Sequence, residues 1–169
     1  MAEWGARVKV GGNTATAGVI PLNSVVHEHD INNKAFGLQS FVWKSILDAT
    51  INVSVGTVVG STLAAGMGIC TPDISDTTAA MAIGMMGGLA TVAVTAGTTD
   101  YQWVQFKGLN RYDARATTGT VTAGLFQLWS DDDVIGDIGA TTEEHAFGCA
   151  AVTKDSDNLI QNGNFYLLG

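Results

Sequence analysis

Charged residues are scarce in this sequence, and positive charge is the scarcer kind. Only 14% of the 169 residues are charged, and eight Lys and Arg face sixteen Asp and Glu, for a formal net charge of −8. An ordinary soluble domain carries about 25% charged residues. The basic residues form no cluster, and an anionic chain repels a phosphate backbone. The composition therefore argues against nucleic acid as a partner.

Cysteine is nearly absent, with two residues in the whole chain. Cys70 and Cys149 stand singly and show no C-x-x-C spacing, which argues against a zinc site and against a redox pair. Two free, buried thiols are typical of a protein that folds in a reducing cytoplasm. The first residues, Met1–Gly5, lack the basic region and the apolar run of a secretion signal.

Proline is equally rare, and Pro21 and Pro72 mark no linker between domains. A chain of this length is about one domain long. We therefore predict a single β-rich domain over residues 1–169, in which residues 1–20 form an extended N-terminal arm.

Catalytic motifs are also missing. The sequence contains no G-x-S-x-G, no Walker glycine loop and no H-E-x-x-H. Gly84–Gly88 is rich in glycine, but it lacks the Lys and the Ser or Thr that would hold a phosphate. The prediction is a protein that is not an enzyme and that carries no cofactor.

Two uncharged stretches, residues 49–72 and 77–99, are each long enough to cross a bilayer, which takes about 20 residues. Gly, Thr, Ser and Asn interrupt both stretches, Asp residues flank them, and no Lys or Arg anchors either end. We interpret both as interior or subunit-facing β structure and predict no membrane association.

Alternation of apolar with small or polar residues is the clearest local pattern, and period two is the mark of a strand. Tyr101–Lys107 is the strongest case, because it is rich in aromatic residues and carries large apolar groups on both faces. The other predicted strands are Ile51–Gly56, Thr91–Thr95, Thr120–Thr122, Leu125–Trp129, Ala146–Thr153 and Asn164–Leu168. These strands predict a mainly β fold, an antiparallel β-sandwich or barrel of jelly-roll type with at most one or two short helices.

Glycine supplies the predicted turns between these strands, because it permits positive φ. Gly87-Gly88, Gly108, Gly136 and Asn162-Gly163 are placed in turns, and Thr-Ala-Gly recurs at residues 16–18, 95–97 and 122–124. One helix is predicted from Gly37 to Asp48 on helical spacing of apolar residues. The segment Phe41–Trp43 within it would also suit a strand.

Histidine and acidic clusters are the candidate sites for chemistry. In a strand, His27 and His29 project to one face about 6.5–7 Å apart and could share a metal ion, with His145 as the remaining histidine. A solvated polar loop is the favoured alternative, and we predict no metal site. Residues 131–157 hold eight acids and one Lys, but Asp131–Asp133 lacks the spacing of an EF-hand loop. Charged, solvent-facing turns are the expected structure there.

The four tryptophans divide into two groups. Trp43, Trp103 and Trp129 lie inside apolar runs, which predicts packing in the core or between subunits. Trp4 instead stands near the N-terminus, beside Arg7 and Lys9. A large aromatic residue with two basic neighbours on an arm suggests a docking role, with local packing as the alternative.

Taken together, the residues resemble a known kind of protein. Several segments are similar in style to the small virion proteins of tailed bacteriophages. These are the opening Trp4–Val10, the turn-rich Thr91–Thr99, the strand Tyr101–Phe106, the following Gly119–Leu125, and the ending in Gly148–Val152 and Phe165–Leu168. Among these, the sequence most resembles the capsid decoration (cement) proteins. It is longer than the best-known small members of that family, with an extra segment Val25–Asp48.

The resemblance implies a non-enzymatic virion protein that is made in the host cytoplasm and binds the outside of an expanded icosahedral capsid. It also implies the major capsid protein as partner, a homo-oligomer with the trimer favoured, and stabilisation across capsomer junctions. We place the capsid contact at Trp4, Arg7 and Lys9 and expect the acidic residues 131–157 to face outward. The alternative function is a tail, fibre or host-attachment β-domain that binds surface glycans, and a metal-dependent enzyme using His27, His29 and His145 is a distant third.

Overall fold

Strands form the framework of the protein in a computed structural model of the chain. The structure describes residues 13–14, 20–29, 37–47, 52–60, 68–70, 87–115, 121–124, 126–129, 135–137, 148–153 and 159–169. Within these ranges the strands are β1 Asn13–Thr14, β2 Val25–His29, β3 Leu38–Leu47, β4 Val58–Val59, β5 Ile69–Cys70, β6 Gly88–Ala90, β7 Thr99–Leu109, β8 Ala114–Arg115, β9 Phe126–Trp129, β10 Ile135–Asp137, β11 Gly148–Ala150, β12 Leu159–Ile160 and β13 Phe165–Leu168.

Most of these strands belong to one sheet, ordered β10-β9-β11-β13-β7-β3-β2. The long antiparallel ladder of β3 and β7 is its axis, and shorter strands line both sides of that ladder. Strands β1, β6 and β13 follow one another along the outer side of β7, while β2 and β5 follow one another along the outer side of β3. Strand β4 extends the sheet beyond β6, and β8 pairs with β12 in a second, two-stranded sheet. The mainly β prediction is confirmed, and sandwich or barrel closure stays a prediction.

Both faces of the β3–β7 ladder are covered. Phe41, Trp43 and Trp103 pack on one face, where the two indole rings meet edge to face with centroids 5.2 Å apart. The opposite face carries Val42 and Val104 in a second buried cluster. The expectations that Trp43 and Trp103 are core residues and that the Tyr101–Lys107 strand is covered on both sides are therefore confirmed. A third cluster of buried residues lies under β6, β11 and β13: Val58, Leu89, Ala114, Val121, Ala150, Ile160, Phe165 and Leu167.

The predicted helix from Gly37 to Asp48 is wrong, because Leu38–Leu47 is strand β3. The apolar residues of this segment match helical spacing only because both strand faces are buried, so that apolar side chains occur at odd and even positions alike. Strand β3 hydrogen-bonds to β7 on one side and to β2 and β5 on the other. The described residues contain no helix, and hence none that is long and apolar enough to cross a membrane.

Several short strands and turns also differ from the predictions. Ile51–Gly56 and Thr91–Thr95 are not strands where they are described: Val53 and Val94 form one isolated bridge, and Val55-Gly56 is a turn. Gly88, Gly108 and Gly136, predicted in turns, lie instead in β6, β7 and β10, and the described part of Thr120–Thr122 contributes only a bridge at Val121. Strands this short carry too few residues to show an alternation.

The recurring Thr-Ala-Gly tripeptide forms turns at both copies that the structure describes. Gly97 and Gly124 adopt φ values of 77° and 79°, in the left-handed region that glycine tolerates best. The first copy, residues 16–18, lies outside the described residues. The turn at Asn162-Gly163 is also confirmed.

Candidate functional site

The predicted capsid contact lies outside the part of the chain that the structure describes, since Trp4, Arg7 and Lys9 precede residue 13. Most of the acidic stretch 131–157 also lies outside it, as do His145 and the Asp131–Asp133 run. Asp137 is placed in the backbone of β10. The roles expected for these residues therefore stay predictions.

The histidine pair lies on a strand. His27 and His29 alternate with Glu28 along β2, both are exposed, and β2 is the last strand of the main sheet on its side. The alternative of a polar loop is therefore wrong. The Nδ1 atom of His27 lies 2.8 Å from the Ser40 hydroxyl oxygen on the neighbouring β3. No group of three or more His, Cys, Asp or Glu in the described ranges is arranged to hold a metal ion.

Next to the histidines, one guanidinium group joins β2, β3 and the end of β7. Arg111 donates from Nε and Nη2 to the Gln39 side-chain oxygen at 3.0 and 2.7 Å, and from Nη2 to Glu28 at 2.9 Å. Its guanidinium carbon also lies 4.6 Å from the centroid of the Phe41 ring. We call Arg111 with these three side chains the arginine hub.

The hub continues into the backbone through a second glutamine. The Arg111 N–H donates to the Gln105 side-chain oxygen at 2.8 Å. The amide groups of Gln39 and Gln105 both donate to the Leu109 carbonyl, each at 2.7 Å. Because neither glutamine is exposed to solvent, these contacts satisfy polar atoms that would otherwise be buried without partners. The hub thus fixes where β7 ends relative to β3.

Two further buried amide side chains also hydrogen-bond to backbone groups. Gln102 on β7 accepts from the Thr91 and Val92 N–H groups, each at 2.9 Å, and donates to the Val92 carbonyl at 3.0 Å. It thereby holds the bend after β6 against β7. Asn110 accepts from the Phe165 N–H at 2.8 Å and donates to the Tyr112 carbonyl at 2.8 Å.

Lys44 is the most unusual side chain in the sheet, because it is charged by nature and has no exposed surface. Its ammonium nitrogen donates to the Asn23 side-chain oxygen at 2.7 Å. Burial lowers the pKa of Lys44 because desolvation disfavours the charged form, while the charge of a Cys70 thiolate acts in the opposite direction. Cys70 is buried as predicted, but Cys149 is only half-buried, which corrects the expectation of two buried thiols.

Sequence reasoning missed the hub, the buried glutamines and Lys44. The available signal was their position, since Lys44 is the single charged residue in the run 38–47 and Gln102 and Gln105 interrupt an aromatic strand. Their partners, however, come from other strands: Arg111 is separated from Gln39 by 72 residues of chain. Only the sheet order brings them together.

In comparisons with protein families, curated proteins and solved structures, no match to this chain was found.

Proposed function

We propose that this chain is a non-enzymatic structural protein of a phage virion, which binds the outer surface of an icosahedral capsid and stabilises it across capsomer junctions. The observation that carries the proposal is where the buried polar side chains place their hydrogen bonds. Gln39, Gln102, Gln105 and Asn110 all bond to backbone groups, at bends and strand ends. These hydrogen bonds join strands to one another, as a protein that resists mechanical force requires.

Such joints favour resistance to load for a physical reason. A strand that slips by one residue turns every side chain to the wrong face, and buried amides held by backbone partners oppose that slip. A subunit on a pressurised shell is loaded along the shell surface. A stiff sheet therefore suits a protein that transmits force between neighbouring capsomers.

Binding at several points supplies the affinity in this proposal. A homo-oligomer, with the trimer favoured, presents one N-terminal arm per subunit, and linked contacts raise the effective affinity without strong single contacts. Trp4, Arg7 and Lys9 contact the major capsid protein, and the virion exterior is the proposed location. The acidic residues 131–157 face solvent.

The test uses expanded and unexpanded shells of the phage that carries the gene. Purified protein is expected to sediment with expanded shells and to raise their melting temperature. Trp4→Ala and the paired Arg7→Ala, Lys9→Ala variants are expected to weaken binding, whereas His29→Ala, an exposed change on β2, serves as the matched control. Light scattering after size exclusion measures the oligomer. A monomer that binds neither kind of shell contradicts the proposal.

One observation favours a second candidate, a tail or fibre β-domain that binds surface glycans. Tyr166 on β13 is 44% exposed, and Leu168 beside it on the same face is 38% exposed. Exposed aromatic rings on a sheet face are suited to stacking on sugars. Glycan-array binding that is lost in Tyr166→Ala supports this candidate, and shell binding that survives the same change supports the first.

A further inference from the structure

Lys44 and Asn23 form a part-buried contact that the proposed function does not use. The two residues are neighbours across the strands: the Asn23 N–H donates to the Trp43 carbonyl at 2.9 Å, and the Trp43 N–H donates to the Ser24 carbonyl at 2.8 Å. Both hydrogen bonds go to Trp43, so Asn23 and Ser24 lie opposite this one residue, next to Lys44 in the chain. Their side chains then meet through the 2.7 Å contact between the Lys44 nitrogen and the Asn23 oxygen.

The backbone holds Asn23 firmly in this place. The Ser24 N–H donates to the Pro21 carbonyl at 3.2 Å, which closes a four-residue turn, and Asn23 occupies its third position with φ 66°. A positive φ at that position is the mark of a type II turn, which takes Gly or Asn there. The Ser24 hydroxyl also donates to the Pro21 carbonyl at 2.7 Å. The Asn23 amide carbon is therefore fixed near a lysine nitrogen.

The surroundings of the two groups differ in a way that favours reaction. Lys44 has no exposed surface and lies on the apolar face of β3 between Val42 and Ile46. Burial there favours the neutral amine, which is the nucleophilic form. Asn23 is exposed, so a leaving group departs directly into water. The strand register pairs Asp100 with Ile46, two pairs beyond the Lys44–Gln102 pair, which places a carboxyl group on the same face of the sheet.

We propose that Lys44 and Asn23 condense to an intramolecular isopeptide bond. The Lys44 nitrogen attacks the Asn23 side-chain carbonyl carbon and forms a C–N bond. One proton passes from the lysine nitrogen to the asparagine amide nitrogen, the bond from carbon to that nitrogen breaks, and ammonia leaves. The step needs no oxidant, reductant or cofactor, and it is independent of the proposed function.

Intact-mass spectrometry of the purified protein tests the proposal. Condensation lowers the mass by about 17 Da. The matched control is Asn23→Gly, because glycine keeps the turn conformation at positive φ and removes the amide. Lys44→Met removes the amine and leaves a side chain of similar length. Asn162-Gly163 is a second place where loss of ammonia can occur, as a succinimide, so both variants are measured beside the wild type.

Trypsin digestion locates the bond. Cleavage after lysine predicts that residues 10–34 stay joined to residues 35–107, with no cleavage after Lys44. The expected result is a mass deficit in the wild type that is lost in both variants, together with this joined peptide. A wild type at full sequence mass overturns the proposal. So does a deficit that persists in Asn23→Gly, and so does normal cleavage after Lys44.

Discussion

Replacement of Arg111 by Met tests whether the arginine hub stabilises the sheet through its buried hydrogen bonds or through its ion pair. Methionine retains an unbranched apolar stem that packs over Phe41 but removes every donor. The Gln39 oxygen, which has no exposed surface, then loses both guanidinium donors. Leaving a buried acceptor unpaired costs about 1–3 kcal/mol.

The other contacts of the guanidinium are worth less. The Arg111 and Glu28 side chains are 19% and 28% exposed, so their ion pair is partly screened by solvent and contributes at most about 1 kcal/mol. The cation–π contact with Phe41 adds about 0.5–1 kcal/mol at such a site. Arg111→Met is therefore expected to lower the free energy of unfolding by about 2–4 kcal/mol, whereas Glu28→Gln is expected to cost less than about 1 kcal/mol.

Urea denaturation, followed by the fluorescence of the buried Trp43 and Trp103, measures these changes. Two double-mutant cycles separate the terms: Arg111 with Gln39→Met, and Arg111 with Glu28→Gln. The first cycle should give the larger coupling, because the Gln39 oxygen that Arg111 contacts is fully buried. Replacing Gln39 leaves the Leu109 carbonyl paired, since Gln105 still donates to it. Only the second should weaken as salt is added. A larger coupling in the Glu28 cycle would refute the reasoning.

Three further predictions concern single positions and use the same denaturation assay. Gly88→Ala should cost more than about 2 kcal/mol, because a Cβ would overlap the Gln105 backbone carbonyl. Gly97→Ala, where the Cβ meets open space, should cost only about 1 kcal/mol. Equal costs for the two variants would contradict this account. Asn110→Ala should cost about 1–3 kcal/mol by removing the buried hydrogen bond that the Phe165 N–H donates to Asn110, and a neutral change would contradict it. In Asn23→Gly, Lys44 stays an amine whose pKa is lowered in the folded state, so the unfolded chain binds more protons. The free energy of unfolding should therefore rise with pH from the folded pKa of Lys44 up to about 10.4. A rise with pH that persists when Lys44→Met is added would contradict the assignment to Lys44.

The sequence predicts a strand where large residues alternate clearly, as in β7, and fails where glycine or burial on both faces hides the alternation, as in β6 and β3. Strand β7 was predictable because seven of its residues carry a clear aromatic and β-branched pattern. Strand β6 was not predictable, because it begins at Gly88. The sequence does not distinguish a glycine that permits a close backbone approach within a strand from a glycine in a turn. Strand β3 was misassigned as a helix because burial on both faces removes the alternation that identifies a strand.

The polar sites were beyond sequence reasoning for a related reason. A glutamine in a strand is ordinarily a solvent-facing residue, and its burial depends on which strands cover it. Gln105 has no exposed surface, and it lies on β7 between β6, the preceding strand, and β3, which is far from it in sequence. Lys44 shows the same dependence, since its partner Asn23 precedes β2 rather than standing on β3.

The buried amides also specify which pairing the strands adopt. Gln102 bonds to both backbone groups of Val92 and to the buried Thr91 N–H, so a shift of β7 by one residue would turn this amide toward the opposite face and break all three hydrogen bonds. An apolar residue at the same position would tolerate the shift, because apolar contacts are not directional. The amides therefore select one register among several that hydrophobic burial alone would permit. In a chain so rich in small residues, that selection is what allows short strands to hold a fixed arrangement.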